Sequence, residues 1–388
     1  MLEKFVTFGI GGCGCTIAHR MVQCSTMQAV CIDTDATSLE DKKELCSTLL
    51  IGEDRFEGYG TGGSFESANL TAKEIQPLLR ENLKECSLAI IVTGVGGGTG
   101  SAITPALLQA ARDMSIPTMT FIVLPFSMEG DEKTRIAARA ISNITSLTDI
   151  YCVFKNDNLC GSLLSPSNST LHEAIESSTS QIVSGITMLW RMITKPGYIN
   201  LDIATLIDCT KKGHGQFFLS SAIAYGEGRT QAAINELISS PNGVETHVNN
   251  TECALVGVFG GLDLRLSEIS ETVNRLNFSL PKTIPIKLGT VIDPAADGSL
   301  ELVAILFEHW KDEYADSYTT AQSMLPSQNT NAQKQATTHT IGNFPISENK
   351  NQVSPQPQAL KIPSGDSFIY KGENLDIPTY IRKKISIS

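Results

Sequence analysis

Long apolar runs are missing from this 388-residue sequence. The longest stretches, such as Leu88–Val92 and Met119–Leu124, fall far short of the roughly 20 residues a membrane-spanning helix needs. No secretory signal is readable either, because Lys4 is followed by only a short apolar stretch before Gly9. These absences imply a cytoplasmic chain with no direct membrane insertion. The ten cysteines include no C-x-x-C pair and the six histidines no H-x-x-x-H pair, so no metal site is expected and the thiols read as reduced and mostly buried. Basic residues are in deficit, 30 Lys and Arg against 41 Asp and Glu, for a net charge of −11. That deficit argues against a nucleic-acid surface, which needs clustered cations to neutralise phosphates. A G-x-x-x-x-G-K-[ST] loop is also absent, which excludes a P-loop NTPase.

Present instead is an alternation of short β-rich runs and helical patterns. Lys4–Phe8, Ala29–Ile32, Leu88–Thr93, Met119–Leu124 and Ile150–Phe154 read as buried strands. Between them, Thr16–Cys24, Thr71–Lys84, Ile103–Met114 and Asp131–Thr145 carry helical spacing. Such alternation predicts an α/β fold with a parallel sheet covered by helices. A long helix follows, with Leu171, Ile175, Ile182, Val183, Ile186, Leu189, Trp190 and Ile193 on one face. Thr170 and Glu173 supply a capping box at its start, and Lys195-Pro196-Gly197 stops it. A second alternating unit runs from about Ile199 to Trp310, with strand-like Cys253–Phe259 and Ile284–Val291 and a helix near Arg229–Ser239. Beyond Lys311 the composition turns to Thr, Gln, Asn, Ser and Pro, the signature of a flexible linker, before a compact apolar and basic cluster at residues 375–384.

Two glycine-rich loops carry the chemistry. Gly9-Ile-Gly11-Gly12-Cys13-Gly14 follows the first strand and opens the first helix. Glycines let backbone approach phosphate oxygens, and a helix N-terminus adds free N–H donors and a positive dipole end. Gly9, Gly11 and Gly14 fit G-x-G-x-x-G, and Asp33 lies 19 residues after Gly14. That is the pattern of dinucleotide-binding domains, so an NAD-dependent oxidoreductase is one reading. The second loop, Gly94-Val-Gly96-Gly97-Gly98-Thr99-Gly100-Ser101, lies between the Leu88–Thr93 strand and the next helix. Two cradles at one end of a sheet suit a triphosphate better than a dinucleotide. Cys13, inside the first loop, reads either as a thiol activated by the helix N-terminus or as an inert small residue replacing glycine.

The chain resembles FtsZ, the bacterial tubulin-like GTPase family that polymerises into the division ring. Gly96-Gly-Gly-Thr-Gly-Ser101 matches the tubulin/FtsZ signature, with Ala102 where the family usually has a further glycine. Asp33-Thr-Asp-Ala36, Gly58-Tyr-Gly-Thr-Gly62, Pro125-Phe-Ser-Met-Glu129-Gly130 and Asn156-Asp157 resemble other family segments. So do Gly226-Glu-Gly-Arg229, Ser239-Ser-Pro241 and Asp263-Leu-Arg-Leu266. The resemblance implies a tubulin/FtsZ-like fold, a Rossmann-like GTPase domain joined by a long central helix to a smaller α/β domain. It divides the chain into a nucleotide-binding domain (1–170), central helix (171–196), second domain with the catalytic loop (197–312), linker (313–370) and partner-binding tail (371–388). It implies GTP or GDP with Mg2+, a head-to-tail homopolymer and a midcell location. Its tail residues, Asp376, Ile377, Pro378, Tyr380, Ile381 and Arg382, resemble the family's C-terminal peptide, which binds membrane-anchoring division proteins.

By the same resemblance, Gly11, Gly12, Cys13, Gly14, Thr16, Gly62, Gly96, Gly97, Gly98, Thr99, Gly100, Glu129, Lys133, Asn156 and Ser177 are the nucleotide-binding residues. Several depart from the family pattern. Thr16 stands for an asparagine, His172 for an aromatic near the base, and Lys133 (or Arg135) for an arginine. Ser177 stands for the aspartate that pairs with guanine, whose two adjacent N–H donors a hydroxyl only partly matches. Glu176 is the nearest carboxylate able to substitute, although a helix turns it about 100° away. In the catalytic loop, Asn200-Leu-Asp202-Ile-Ala-Thr205, the family's second aspartate is a threonine. A hydroxyl is a poor base and brings no negative charge, so slow hydrolysis is expected. Asp202 also suits the N-cap of a following helix. A nucleotide-bound scaffold without hydrolysis is the alternative within the family.

Overall fold

The computed structural model describes residues 5–84, 86–159, 170–195, 197–199, 205–206, 215–239, 243–308, 369–370 and 373–374. Met1–Leu325 form one compact unit and Pro326–Ser388 a second. Six strands build the first sheet: β1 (Phe5–Ile10), β2 (Gln28–Asp33), β3 (Ser47–Leu50), β4 (Leu88–Gly94), β5 (Thr118–Leu124) and β6 (Ile150–Lys155). Their order is β3-β2-β1-β4-β5-β6 and every pairing is parallel, as the strand–helix alternation predicts. The connecting helices are α1 (Gly11–Gln23), α2 (Ala36–Glu40), α3 (Glu53–Phe56), α4 (Phe65–Glu74), α5 (Gln76–Leu83), α6 (Gly98–Asp113), α7 (Asp131–Thr145) and α8 (Asn156–Leu159). The single helix expected over 71–84 is two, α4 and α5, broken at Ile75 with Pro77 in the first turn of α5. Proline lacks the N–H an unbroken helix would need there.

The long helix α9 (Leu171–Thr194) starts at the expected capping box. Glu173 N donates to Thr170 Oγ1 at 3.2 Å, and Thr170 N donates to Glu173 Oε2 at 2.7 Å. Of its expected apolar face, Ile182, Val183, Ile186 and Leu189 are buried, Trp190 and Ile193 are partly buried, and Leu171 and Ile175 are exposed. Beyond it, β7 (Phe217–Tyr225), α10 (Arg229–Ser239), α11 (Val244–His247), β8 (Thr251–Gly260), α12 (Leu266–Ser279), β9 (Ile286–Ile292) and β10 (Ser299–Glu308) form the second layer set. Its sheet is mixed, in the order β7-β10-β8-β9, with β10 antiparallel to both neighbours and β8 parallel to β9.

One core joins the two sheets. Ile182, Ile186 and Leu189 of α9 pack with Phe121 and Phe154 from the first sheet and with Phe217, Phe259 and Phe307 from the second. Phe121 meets Phe217 edge-on at 5.8 Å between ring centroids. Gly185 lets α9 approach β7, since a Cβ there would fall 2.8 Å from Leu219 Cδ2. A second core lies between the first sheet and α5, α6 and α7, and a third between the second sheet and α10 and α12. In the C-terminal unit, Ile369–Tyr370 pairs antiparallel with Glu373–Asn374. The tail residues Asp376, Ile377, Pro378, Tyr380, Ile381 and Arg382 lie outside the described residues.

Candidate functional site

Strands β1 and β4 are parallel neighbours, with Ile10 beside Thr93, so the loops leaving them emerge at the same sheet edge. Strand order reverses between these two strands, the point at which open α/β sheets bind ligands. Gly11 opens α1 and Gly98 opens α6, so the glycines themselves form the first helical turns, earlier than the sequence pattern predicts. Neither N-terminus has a side-chain cap or an acidic residue in its first turn. By contrast, α2, α4 and α9 are each capped by a side chain. The first amides of α1 and α6 therefore have the electrostatics of an anion site.

The glycines divide by function. Gly11 (φ 71°) and Gly96 (φ 99°) hold left-handed backbone that other residues avoid. Gly14 and Gly100 are packing glycines: a Cβ would fall 2.2 Å from Val92 O at the first and 2.1 Å from Gly94 O at the second. Gly97 is different. Its backbone is ordinary extended chain, φ −92° and ψ 171°, and a Cβ there would meet nothing within 4 Å. At Gly12 the nearest atoms would be 3.9 Å away. The fold does not need glycine at either position, since no protein atom crowds a side chain there.

A cleft of about 260 Å3 lies between the loops, lined by Gly11, Gly12, Cys13, Gly96, Gly97, Gly98, Thr99, Gly100, Glu129, Lys133 and Asn156 among others. The structure thus brings together eleven of the expected nucleotide-binding residues. Gly62 (φ 58°) lines an adjoining cavity of about 720 Å3 that shares Gly96, Glu129 and Lys133 with the cleft and also includes Arg135. Three expected residues line neither cavity. Gly14 is buried against β4. Thr16 spends its hydroxyl donating to Gly12 O at 2.8 Å. Ser177 Oγ accepts from Gln181 Nε2 at 3.2 Å.

Supporting contacts fix the cleft walls. Glu129 Oε1 accepts from Phe126 N at 2.8 Å, and Oε2 accepts from Lys133 Nζ at 2.7 Å. Thr34 Oγ1 and Thr99 Oγ1 share a hydrogen bond of 2.8 Å, tying the end of β2 to the second loop. Asp33 is buried, which raises its pKa, and it accepts from Thr34 N at 2.7 Å and Ser38 Oγ at 2.6 Å. Sequence patterns do not reveal Ser178, yet its Oγ donates to Asn156 Oδ1 at 2.8 Å and holds that residue at the cleft. Its burial on the inner face of α9 was the available signal. Glu176 does not stand free for a base: Arg20 of α1 grips it with two bonds, 2.8 and 2.6 Å. Cys13 keeps an exposed surface, but its sulfur packs against Gly94, and this desolvation, reinforced by the Glu129 carboxylate, pushes the thiol up to about 11, which makes it a weak nucleophile.

Asn200 and Asp202 lie outside the described residues; Thr205 is helical and half-buried beside the buried Leu206. Among the described residues, no group of three or more His, Cys, Asp and Glu side chains is arranged to hold a metal ion, and no helix is long and apolar enough to cross a membrane.

Residues 4–163 match the Tubulin/FtsZ family, GTPase domain, and residues 215–308 match the FtsZ family, C-terminal domain. The chain belongs to the tubulin/FtsZ family of cell-division GTPases. Among its relatives, it is 27% identical to the cell division protein FtsZ of Buchnera aphidicola subsp. Baizongia pistaciae over 380 residues, 97% of this chain and 95% of that protein. It is 28% identical to cell division protein FtsZ 1 of Rhizobium meliloti over 304 residues, 78% of this chain but only about half, 51%, of that relative's length. In three dimensions it is similar to the empty FtsZ dimer of M. jannaschii, with a TM-score of 0.70 and 26% identity over 79% of this chain and 88% of that one. CetZ2 from Haloferax volcanii, in a GTPgS-bound protofilament, shares the fold with a TM-score of 0.66 and 20% identity, covering 83% of this chain and 98% of that one.

Proposed function

We propose that the chain binds GTP with Mg2+ in the cleft, polymerises head-to-tail into filaments of the division ring, and hydrolyses GTP slowly at the subunit interface. One observation carries the reading: two uncapped helix N-termini converge on one cleft, with Gly12 and Gly97 leaving room that no protein atom fills. Backbone amides of both loops hold the phosphates, and Lys133 adds a cation by exchanging Glu129 for phosphate oxygen. Mg2+, a hard cation that prefers oxygen ligands, would bind here through the phosphate oxygens and water and would offset their charge. Asp33, already bonded to Ser38 and Thr34, is poorly placed to take a ribose, which weighs against the NAD reading. Hydrolysis falls to Asn200, Asp202 and Thr205 of one subunit acting on the nucleotide of the next. The tail peptide around Ile377, Tyr380 and Ile381 recruits a membrane-anchoring partner, which puts the cytoplasmic filament at midcell.

Gly97→Val tests the phosphate site. Because the backbone there is extended and the surrounding space open, the variant is expected to fold with unaltered thermal stability. Its branched side chain occupies the phosphate position, so GTP affinity measured by equilibrium dialysis should fall by at least about 100-fold, the scale of several lost charge-assisted bonds. Unchanged affinity in the folded variant would remove the phosphate assignment.

A further inference from the structure

Cys15, Cys31 and Cys46 are buried in one small cluster with Ala18, Ala29 and Leu39. The register of β1 on β2 puts Cys31 beside Gly9, and Cys15 Sγ donates to the carbonyl of the same Gly9 at 3.2 Å. Cys31 Sγ lies 3.7 Å from Cys15 O, Cys15 Sγ lies 3.5 Å from Ile32 O, the carbonyl next to Cys31, and Cys46 shares the same buried cluster. Three thiols therefore share one small buried cluster with Cys15 and Cys31 on neighbouring backbone, the proximity that dithiol–disulfide chemistry needs. The ammonium of Lys42, whose side chain is only 7% exposed, acts on all three and favours the thiolate form. Hydrogen bonding from Cys15, ahead of burial and aided by Cys46 and Lys42, leaves Cys31 as the thiol whose pKa is lowered, while those of Cys15 and Cys46 are raised.

A chain of contacts leads from these thiols to the cleft. Lys42 Nζ donates to Ser38 O at 2.7 Å, and Ser38 Oγ to Asp33 Oδ2 at 2.6 Å. Those two oxygens, Ser38 Oγ and Asp33 Oδ2, face Gly12 of the first cradle, each 3.9 Å from the position of a Cβ there. The residue after Asp33, Thr34, bonds Thr99 of the second cradle. Access is provided by the turn before Cys46, where Asp41, Lys43, Glu44 and Leu45 are exposed beside the edge strand β3. Edge segments of this kind open locally at low cost.

We propose that Cys31 is the shared member of an intramolecular disulfide, closed onto Cys15 or Cys46 by exchange with a small-molecule disulfide, and that this bridge weakens nucleotide binding in the cleft. Cys31 thiolate attacks one sulfur of the external disulfide, breaking its S–S bond and releasing one thiolate, which takes up a proton. The second cysteine, as thiolate, then attacks the Cys31 sulfur of the mixed disulfide and expels the other thiol. Two cysteine thiols are oxidised and one external disulfide is reduced to two thiols. The coupling to the cleft rests on the nucleotide reading above; the bridge does not.

The experiment treats the full chain with glutathione disulfide, digests it without reduction and maps the linked peptides by mass spectrometry. Cys31 is expected in a bridge to Cys15 or Cys46, with two fewer titratable thiols. GTP affinity should fall by at least about 5-fold, the lower end of typical site-to-site coupling, and recover with dithiothreitol. Cys46→Ala should confine the bridge to Cys15 and Cys31, and Cys15→Ala to Cys31 and Cys46. Glutathione attached only at the exposed Cys13 or Cys24, with Cys31 still a free thiol, would overturn the proposal. A bridge that forms while GTP affinity stays constant would overturn the coupling alone. If the untreated protein binds no GTP, the nucleotide reading falls while the mapped bridge stands.

Discussion

At the scale of residues, the tightest electrostatic feature lies away from the cleft. Arg229, 7% exposed, donates to Glu268 at 2.8 and 2.9 Å and to Asp263 Oδ2 at 2.6 Å. Glu268 also accepts from Arg265 N and Thr230 Oγ1. The Arg229 guanidinium, outweighing burial and aided by these donors, holds the Glu268 carboxyl down to about 2 from an ordinary 4.5. A lowered folded-state pKa means stability fully present above the unfolded value and lost as pH falls toward the folded one. Glu268→Gln should therefore cost roughly 3 kcal/mol near pH 7, leaving Arg229 underpaired in the interior. In denaturant titrations the gap between parent and variant should close between about pH 4.5 and pH 2. A gap that is constant across that range would show the pair to be electrostatically idle. This network marks a limit of sequence reading: Arg229 and Asp263 stand out as family residues, but no local pattern signals that Glu268 completes them from another helix. The same limit explains Ser178 and Arg20, whose partners lie 22 and 156 residues away.

At the scale of elements, signals that are local were legible. The capping box fixed the start of α9, and the helices over Asp131–Thr145 and Arg229–Ser239 have the bounds their spacing predicts. The glycine loops were legible as strand-to-helix connections, but not as the first turns of α1 and α6, because glycine disfavours helix by propensity while tertiary packing overrides it here. Strand β3 is a four-residue, partly exposed edge strand with no apolar period to detect. Strand β10 runs through the middle of the second sheet as an apolar stretch, which periodicity cannot distinguish from a buried helix. The antiparallel pairing of β10 was therefore invisible, and the second half read as a repeat of the first. The tail belongs to the proposal of a partner-binding peptide on a linker, which rests on composition. About 60 residues of such composition would span roughly 40 Å r.m.s., enough for the proposed filament to stand off a membrane while attached to it. Deleting 371–388 is expected to leave pelleting of the purified protein with GTP intact and to abolish its co-sedimentation with membranes carrying the anchoring partner. Loss of filaments in the purified protein would instead make the tail part of the assembly core.

At the scale of the whole molecule, the proposed function assigns nucleotide and catalyst to different subunits. The cleft sits at the C-terminal edge of the first sheet, whereas residues 200–205 follow the far end of α9. In the proposed head-to-tail filament the loop of one subunit would meet the cleft of the next, which makes assembly and hydrolysis separable. Assembly needs the phosphate site and the interface; hydrolysis needs, in addition, a group to activate water. Thr205 supplies a hydroxyl where the family resemblance expects a carboxylate. Losing one such group typically costs about 100- to 10,000-fold in rate, or roughly 3–5 kcal/mol of barrier. Filaments should accordingly form and persist with little turnover. Thr205→Asp should raise phosphate release in assembled protein and shorten filament lifetime, measured by light scattering after a limiting pulse of GTP. It should not affect subunits kept below the assembly threshold, because no neighbour presents a loop to their nucleotide. Since Thr205 is half-buried beside the core residue Leu206, thermal unfolding of the variant must accompany the assay, to separate a lost fold from a regained reaction. Brisk turnover in the unmodified protein would assign the chemistry to Asp202 unaided or to Asp208, three residues beyond Thr205. No gain in a folded, polymerising Thr205→Asp protein would mean that more than one residue of the interface has departed from hydrolysis, and the chain would then act as a nucleotide-locked scaffold.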